Sequence, residues 1–90
     1  MTIGNAMITP LRKAKFLWHC RRGMLELDLI LTRFAETYLD KLTDQQLNAF
    51  DKLLGCIDPE LYSWLMGYES PAEKELVEIV EFIKLHDHFR

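Results

Sequence analysis

The residues of this chain that could carry chemistry concentrate around one octet, residues 21–28, which reads RRGMLELD. Cys20 stands directly before it, and neighbouring guanidinium groups lower the pKa of a thiol, so an activated nucleophile is one interpretation. We favour the other interpretation, a small core residue at the end of a helix. Glu26 and Asp28 are two residues apart, so on a helix they diverge and do not form a catalytic carboxylate pair.

Other catalytic and metal-binding patterns are missing from the sequence. It contains no glycine-rich phosphate loop and no nucleotide-binding fingerprint. His86 and His88 are two residues apart, so on a helix they face different ways. His19 and Cys20 have neither a Cys-x-x-Cys pair nor a histidine four residues away beside them, and these are spacings typical of a zinc site. We therefore expect that the protein is not an enzyme and holds no metal.

Gly23 interrupts an otherwise helix-forming run. Glycine disfavours a helix interior by roughly 1 kcal/mol relative to alanine, so it should separate two helices and leave a backbone position without a side chain. Because it follows a helix end, a left-handed backbone is expected there. Arg22 and Glu26 would pair only if the helix continued through the glycine. A solvated helix corner and a partner-binding surface both fit, and the concentration of charge around one glycine favours the surface.

The two tryptophans carry different expectations. Trp18 lies shortly before the octet and is either an exposed anchor for a partner or a core residue. Trp64 lies within the run LYSWL that begins at residue 61, and we expect it in the core.

Length and composition bound the class of protein. Ninety residues make one domain, and 49% hydrophobic residues with two Trp, three Tyr and five Phe suffice for a compact helical core. The net charge of −3 argues against a nucleic-acid binder. No apolar run approaches the ~20 residues that span a bilayer, and the first nine residues lack the blocks of a signal peptide. We expect a cytoplasmic protein without membrane insertion, in which Cys20 and Cys56 are free thiols.

Capping signals divide the chain into five helices. Thr9 and Pro10 predict the N-cap and first residue of helix one, which should run to about Arg22. Helix two should begin near Met24 and end near Leu42, with an apolar stripe along one face.

The same signals predict three further helices. Residues 43–46 form a capping box, and Gly55 stands where a C′ glycine would end helix three. Asp58 and Pro59 predict the N-cap and first residue of a short helix four that ends at Gly67. Residues 70–73 predict a second capping box, before a last helix that frays over residues 86–90. The expected fold is all-α, a single-domain bundle of five short helices with a flexible N-terminus at residues 1–9.

Three segments carry a family resemblance. Residues 15–28 read KFLWHCRRGMLELD, residues 53–66 read LLGCIDPELYSWLM, and Ser-Pro-Ala follows at residues 70–72. The Arg-Gly-x-x-Glu motif, the upstream Trp-x-Cys and the later Asp-Pro-Glu-Leu-x-x-Trp-Leu together resemble the SdhE-type succinate dehydrogenase FAD assembly (flavinylation) factors. These are bacterial relatives of the mitochondrial succinate dehydrogenase assembly factor 2.

The resemblance implies a chaperone-like factor with the five-helix fold of that family. Its client would be the flavoprotein subunit of succinate dehydrogenase, with that of fumarate reductase as a further candidate, and the client would attach its own FAD through a histidine. No tightly bound cofactor is expected in the factor itself, since the FAD belongs to the client. By position, the expected partner-binding residues are Trp18, Arg21, Arg22, Gly23, Glu26 and Asp28.

Two other classes of function stay open. An antitoxin-like regulatory protein-binding module fits the same sequence, and loss of flavinylation on deletion of the gene would argue against it. A helical nucleic-acid binder that uses the basic first helix is the third class, and its affinity would fall steeply with salt.

Overall fold

Five α-helices make up the computed structural model, which describes residues 8–86. A 3₁₀ turn, Leu39–Lys41, extends the second helix. The prediction of an all-α bundle of five helices is confirmed. The helices are α1 (Pro10–His19), α2 (Leu25–Tyr38), α3 (Asp44–Leu54), α4 (Asp58–Leu65) and α5 (Lys74–His86).

Local capping explains two of the helix starts as predicted. The Thr9 hydroxyl accepts from the Arg12 N–H at 3.2 Å, with Pro10 as the first residue of α1. Before α3, the Gln46 N–H donates to the Thr43 hydroxyl at 3.1 Å, and the Thr43 N–H donates to the Gln46 side chain at 2.9 Å. These bonds satisfy N–H groups that have no partner within the helix.

The end of α4 also follows the prediction. Gly67 has φ 84°, the left-handed conformation that glycine adopts without a Cβ penalty. The Tyr68 N–H reaches the Ser63 carbonyl at 2.8 Å, and the Gly67 N–H reaches the Trp64 carbonyl at 3.2 Å. This pair of bonds is a Schellman motif, which closes the helix.

Two predicted helix starts are wrong. Ile57 is the N-cap of α4, and Asp58 is already its first residue, because the Asp58 carboxylate bonds to a distant segment instead of its own helix. Helix α5 begins at Lys74, so Ser70 lies too early to cap it. Pro71 is buried, and the Glu73 carbonyl accepts the first bond of α5, from the Val77 N–H at 3.0 Å.

Two predicted helix ends also differ from the structure. Helix α1 stops at His19, before the predicted Arg22, because the Arg21 N–H donates to the Trp18 carbonyl at 3.1 Å, three residues back instead of four. Gly55 is the C-cap of α3, with φ −80°, so this position makes no use of glycine's left-handed freedom. Of the predicted flexible or frayed ends, residues 1–7 and 87–90 lie outside the described residues.

An aromatic cluster joins four of the helices. Phe16 of α1 stacks on Phe50 of α3 at 5.6 Å between ring centroids, and Phe50 meets Phe34 of α2 at 5.5 Å. Phe34 meets Phe82 of α5 at 5.8 Å. Trp64, expected in the core, is half-buried at its edge. The cluster fixes how α1, α2 and α3 meet, and therefore how the chain turns between α1 and α2.

Candidate functional site

The α1–α2 loop, residues 20–24, carries the first half of the motif. Cys20 anchors it: the side chain is fully buried, and its N–H donates to the Phe16 carbonyl at 3.0 Å. Burial raises the pKa of the Cys20 thiol to about 12, and the lowering effect of the nearby Arg22 charge is smaller. The interpretation as a core residue is confirmed, and the activated nucleophile is wrong. Cys56 is the other free thiol and is half-buried.

Arg22 turns inward, with 13% of its side chain exposed. Its guanidinium donates from Nη2 to the Leu54 carbonyl and from Nη1 to the Cys56 carbonyl, the latter at 3.3 Å. Leu54 ends α3, where carbonyls lack partners and the helix dipole is negative. Arg22 therefore caps the C-terminus of α3 with a positive charge.

Asp58, the first residue of α4, meets the same guanidinium. Its Oδ1 lies 3.4 Å from Arg22 Nη1, and its Oδ2 accepts from the Met24 N–H at 3.3 Å. Arg22 and Asp58 together with these bonds are called the Arg22–Asp58 clamp below. The clamp ties the α1–α2 loop to the turn between α3 and α4.

Gly23 lies on the outside of this loop. It is exposed, and a Cβ built on it would have no atom within 4 Å. The expected left-handed backbone is wrong, because Gly67 is the positive-φ glycine of the described chain. A methyl group would thus fit at position 23 without strain within the domain.

The two acidic motif residues lie in the first turn of α2 and have different surroundings. Asp28 is 3.6 Å from Arg21 and accepts from the Thr32 hydroxyl at 3.3 Å. Glu26 is exposed and makes no ion pair within residues 8–86. Its charge raises the pKa of Tyr62, so it faces α4. As predicted, Glu26 and Asp28 do not act as a pair, and Arg22 pairs with Asp58 instead of Glu26.

Exposed apolar side chains surround the α1–α2 loop. Trp18 is 72% exposed, which excludes a core role, and it lines a groove of about 340 Å³ together with Arg21 and Arg22. Leu25 and Ile57 are 69% and 63% exposed. Neither of these residues, nor Asp58, was predicted from the sequence to belong to the site. For Asp58 the only signal in the sequence was the Asp-Pro pair, which equally well indicates a helix cap.

The described residues hold no group of three metal-ligating side chains. His86 instead stacks on Phe82, with ring centroids 4.3 Å apart, and His88 lies outside the described residues. Within residues 8–86, no helix is long and apolar enough to cross a membrane.

The fold and the α1–α2 loop define a small all-α protein that presents a charged surface bordered by exposed apolar side chains. The family described as "Flavinator of succinate dehydrogenase" matches residues 14–87. The chain belongs to this family, which confirms the resemblance drawn from the sequence.

Several relatives are similar over most of their length. A protein named FAD assembly factor SdhE from Legionella pneumophila is 61% identical over 72 residues, 80% of this chain and 90% of its own. SdhE proteins from Coxiella burnetii and Yersinia pseudotuberculosis are 44% and 42% identical over 78 residues. Each of those two alignments covers 87% of this chain, and they cover 95% and 89% of the relatives. The relatives are named as assembly factors and not as catalysts, in agreement with the expectation that this chain is not an enzyme.

Proposed function

We propose that this protein binds the flavoprotein subunit of succinate dehydrogenase and promotes covalent attachment of FAD to that subunit. Membership of the flavinator family and the names of the SdhE relatives support this client. The flavoprotein subunit of fumarate reductase is proposed as a second client, and the cytoplasm as the place of action.

The observation that carries the proposal is Gly23. The fold does not need a glycine there, because φ is ordinary and a Cβ would meet no atom within 4 Å. An exposed position without a side chain lets the backbone of another protein approach closely. Gly23 therefore leaves the α1–α2 loop open to close packing by a partner surface.

The surroundings of Gly23 suit a protein partner. Glu26 is exposed and makes no ion pair within residues 8–86, so its carboxylate can form a charge-assisted hydrogen bond with a partner. Arg21 and Asp28 offer charge beside it. Trp18 supplies a large exposed aromatic surface, of the kind enriched in interface hot spots. Arg22, predicted as a further contact, exposes only 13% of its side chain.

The proposed action is binding without participation in the bond. Covalent attachment needs the client's histidine and the flavin in near-attack geometry, and positioning lowers the barrier to such a step. A factor contributes by binding the competent client conformation better than the others. The residues of the α1–α2 loop and of the first turn of α2 can orient a protein surface. None of the chemistry requires them to exchange protons or electrons with the flavin.

The experiment is a reconstitution with purified components. The apo flavoprotein subunit is incubated with FAD, with and without this protein, and covalent flavin is followed by its fluorescence in a denaturing gel. We expect the factor to increase the initial rate of attachment. Equal rates in the two reactions would refute the proposal.

The cofactor is proposed to belong to the client alone. The purified protein should be colourless, and gel filtration with added FAD should separate the two. A flavin spectrum retained at about one flavin per chain would contradict this part of the proposal.

A further inference from the structure

Arg22 has little hydrogen-bonding capacity left for a partner. A guanidinium has five N–H donors. Three of these meet the Leu54 carbonyl, the Cys56 carbonyl and the Asp58 carboxylate. The Nε atom is buried and has no acceptor within the described part of the chain. One donor remains, on a side chain that is 13% exposed, whereas Arg21 is 68% exposed.

The clamp caps two helices at once. Arg22 places a positive charge on the C-terminus of α3, as described above. Met24 is the N-cap of α2, and its own side chain makes no capping bond. Asp58 supplies a carboxylate there from α4, and a negative charge is favourable at a helix N-terminus. The first turn of α2, which carries Glu26, is therefore oriented by a residue of another helix.

Gly23 lies between two residues that the clamp holds. Arg22 fixes the chain before it, and the Met24 N–H fixes the chain after it. The position of the exposed glycine relative to Glu26 is set by these bonds. Movement of the loop would leave the glycine and the carboxylate present but misaligned for a common partner.

We infer that Arg22 and Asp58 are positioning residues that hold the Gly23–Glu26 surface in the geometry the client binds, and that Arg22 itself does not contact the client. This inference rests on the proposed function. It removes Arg22 from the predicted contacts and adds Asp58 to the residues on which recognition depends.

The test is a double-mutant cycle in the reconstituted attachment reaction, with wild type, Arg22→Ala, Asp58→Ala and the double variant. We expect each single substitution to slow attachment about tenfold, the scale of a lost hydrogen bond to a charged group. The double variant should be no slower than the worse single variant, because both substitutions open the same clamp. Multiplied losses would indicate two separate client contacts and overturn the inference.

A second measurement uses the factor alone. Amide hydrogen exchange at Met24 should increase in Arg22→Ala, although that variant keeps the Asp58 acceptor of the Met24 N–H. Arg21→Ala is the matched control and should leave this exchange unchanged, since Arg21 takes no part in the clamp. Slow attachment by Arg22→Ala with unchanged exchange at Met24 would identify Arg22 as a direct contact and refute the inference.

A purely structural role is tested with Ile83→Val, a substitution in the core of α5 that lowers stability by reducing a buried side chain. This variant should promote flavin attachment at the wild-type rate, and circular dichroism should show that all the variants are folded. Losses of attachment rate that follow thermal stability across every variant would overturn the inference. Should Arg22→Ala fail to fold, Arg22→Lys, which keeps the positive charge and loses the planar fork of donors, replaces it in both measurements. If wild type itself does not accelerate attachment, the proposed function fails, and exchange at Met24 still reports whether the clamp orders the loop.

Discussion

Substitution of Gly23 should separate folding from function. Position 23 has ordinary φ and free space where the methyl group of an alanine would lie, so alanine should fold without strain. A glycine-to-alanine change at a compatible site stabilises a protein by about 0.4–1 kcal/mol, through the unfolded chain. For a domain of this size that corresponds to a rise in Tm of roughly 2–8 °C.

The same methyl group should weaken the complex. An extra methyl in a well-packed contact costs about 1–3 kcal/mol, which corresponds to a roughly 5- to 150-fold loss of affinity. Arginine at position 23 would hold the client surface away and add a third consecutive positive charge. We therefore expect Gly23→Ala to be a stable, weakened factor and Gly23→Arg to be folded and inactive.

The assay measures covalent flavin on the client in a strain that lacks this gene, complemented with each variant, alongside thermal melts of the purified proteins. Gly67→Ala is the control with the opposite behaviour. Its φ of 84° makes alanine cost on the order of 1 kcal/mol, yet it lies at the far end of α4 from the clamp. It should melt earlier and still support attachment. If Gly23→Arg restores flavinylation as well as wild type does, the Gly23–Glu26 surface is not the functional surface.

Three further outcomes are expected. Leu31→Ala should lose about 2–5 kcal/mol of stability, because Leu31 is fully buried. Glu26→Ala should change stability by no more than about 0.5 kcal/mol. Thermal melts that rank the two variants in reverse would place Glu26 in the core. Iodoacetamide at pH 8 should modify Cys56 and leave Cys20 intact until the chain unfolds, because burial raises the Cys20 pKa to about 12; mass spectrometry of the native protein checks this. Glu26→Gln should lower the pKa of Tyr62, because the Glu26 carboxylate opposes phenolate formation; an unchanged ultraviolet titration, compared with Tyr62→Phe, would contradict their proximity.

The sequence predicts the parts of the fold that depend on neighbours along the chain. The capping box of Thr43 and Gln46 and the glycine that ends α4 are local bonds between residues three to five apart, and both form as expected. Burial of Leu31 likewise follows from the spacing of apolar residues along one helix.

The parts that the sequence did not predict depend on residues far apart in the chain. Asp58 reads as an N-cap for its own helix, but its carboxylate serves Met24, 34 residues away. Arg22 reads as a surface charge because arginines are mostly exposed, and only the packing of α3 against the loop brings carbonyl acceptors to it. The exposure of Trp18 was open because the sequence alone does not show which face of α1 packs against the other helices.

The span of the clamp has a consequence during synthesis of the chain. Arg22 and Asp58 are 36 residues apart, so the motif residues are made well before the residue that holds them in place. At 5–20 residues per second, translation of the intervening segment takes about 2–7 s. During that interval the Arg22–Asp58 clamp cannot form, so we expect a chain that ends before α4 to bind the proposed client more weakly than the finished protein.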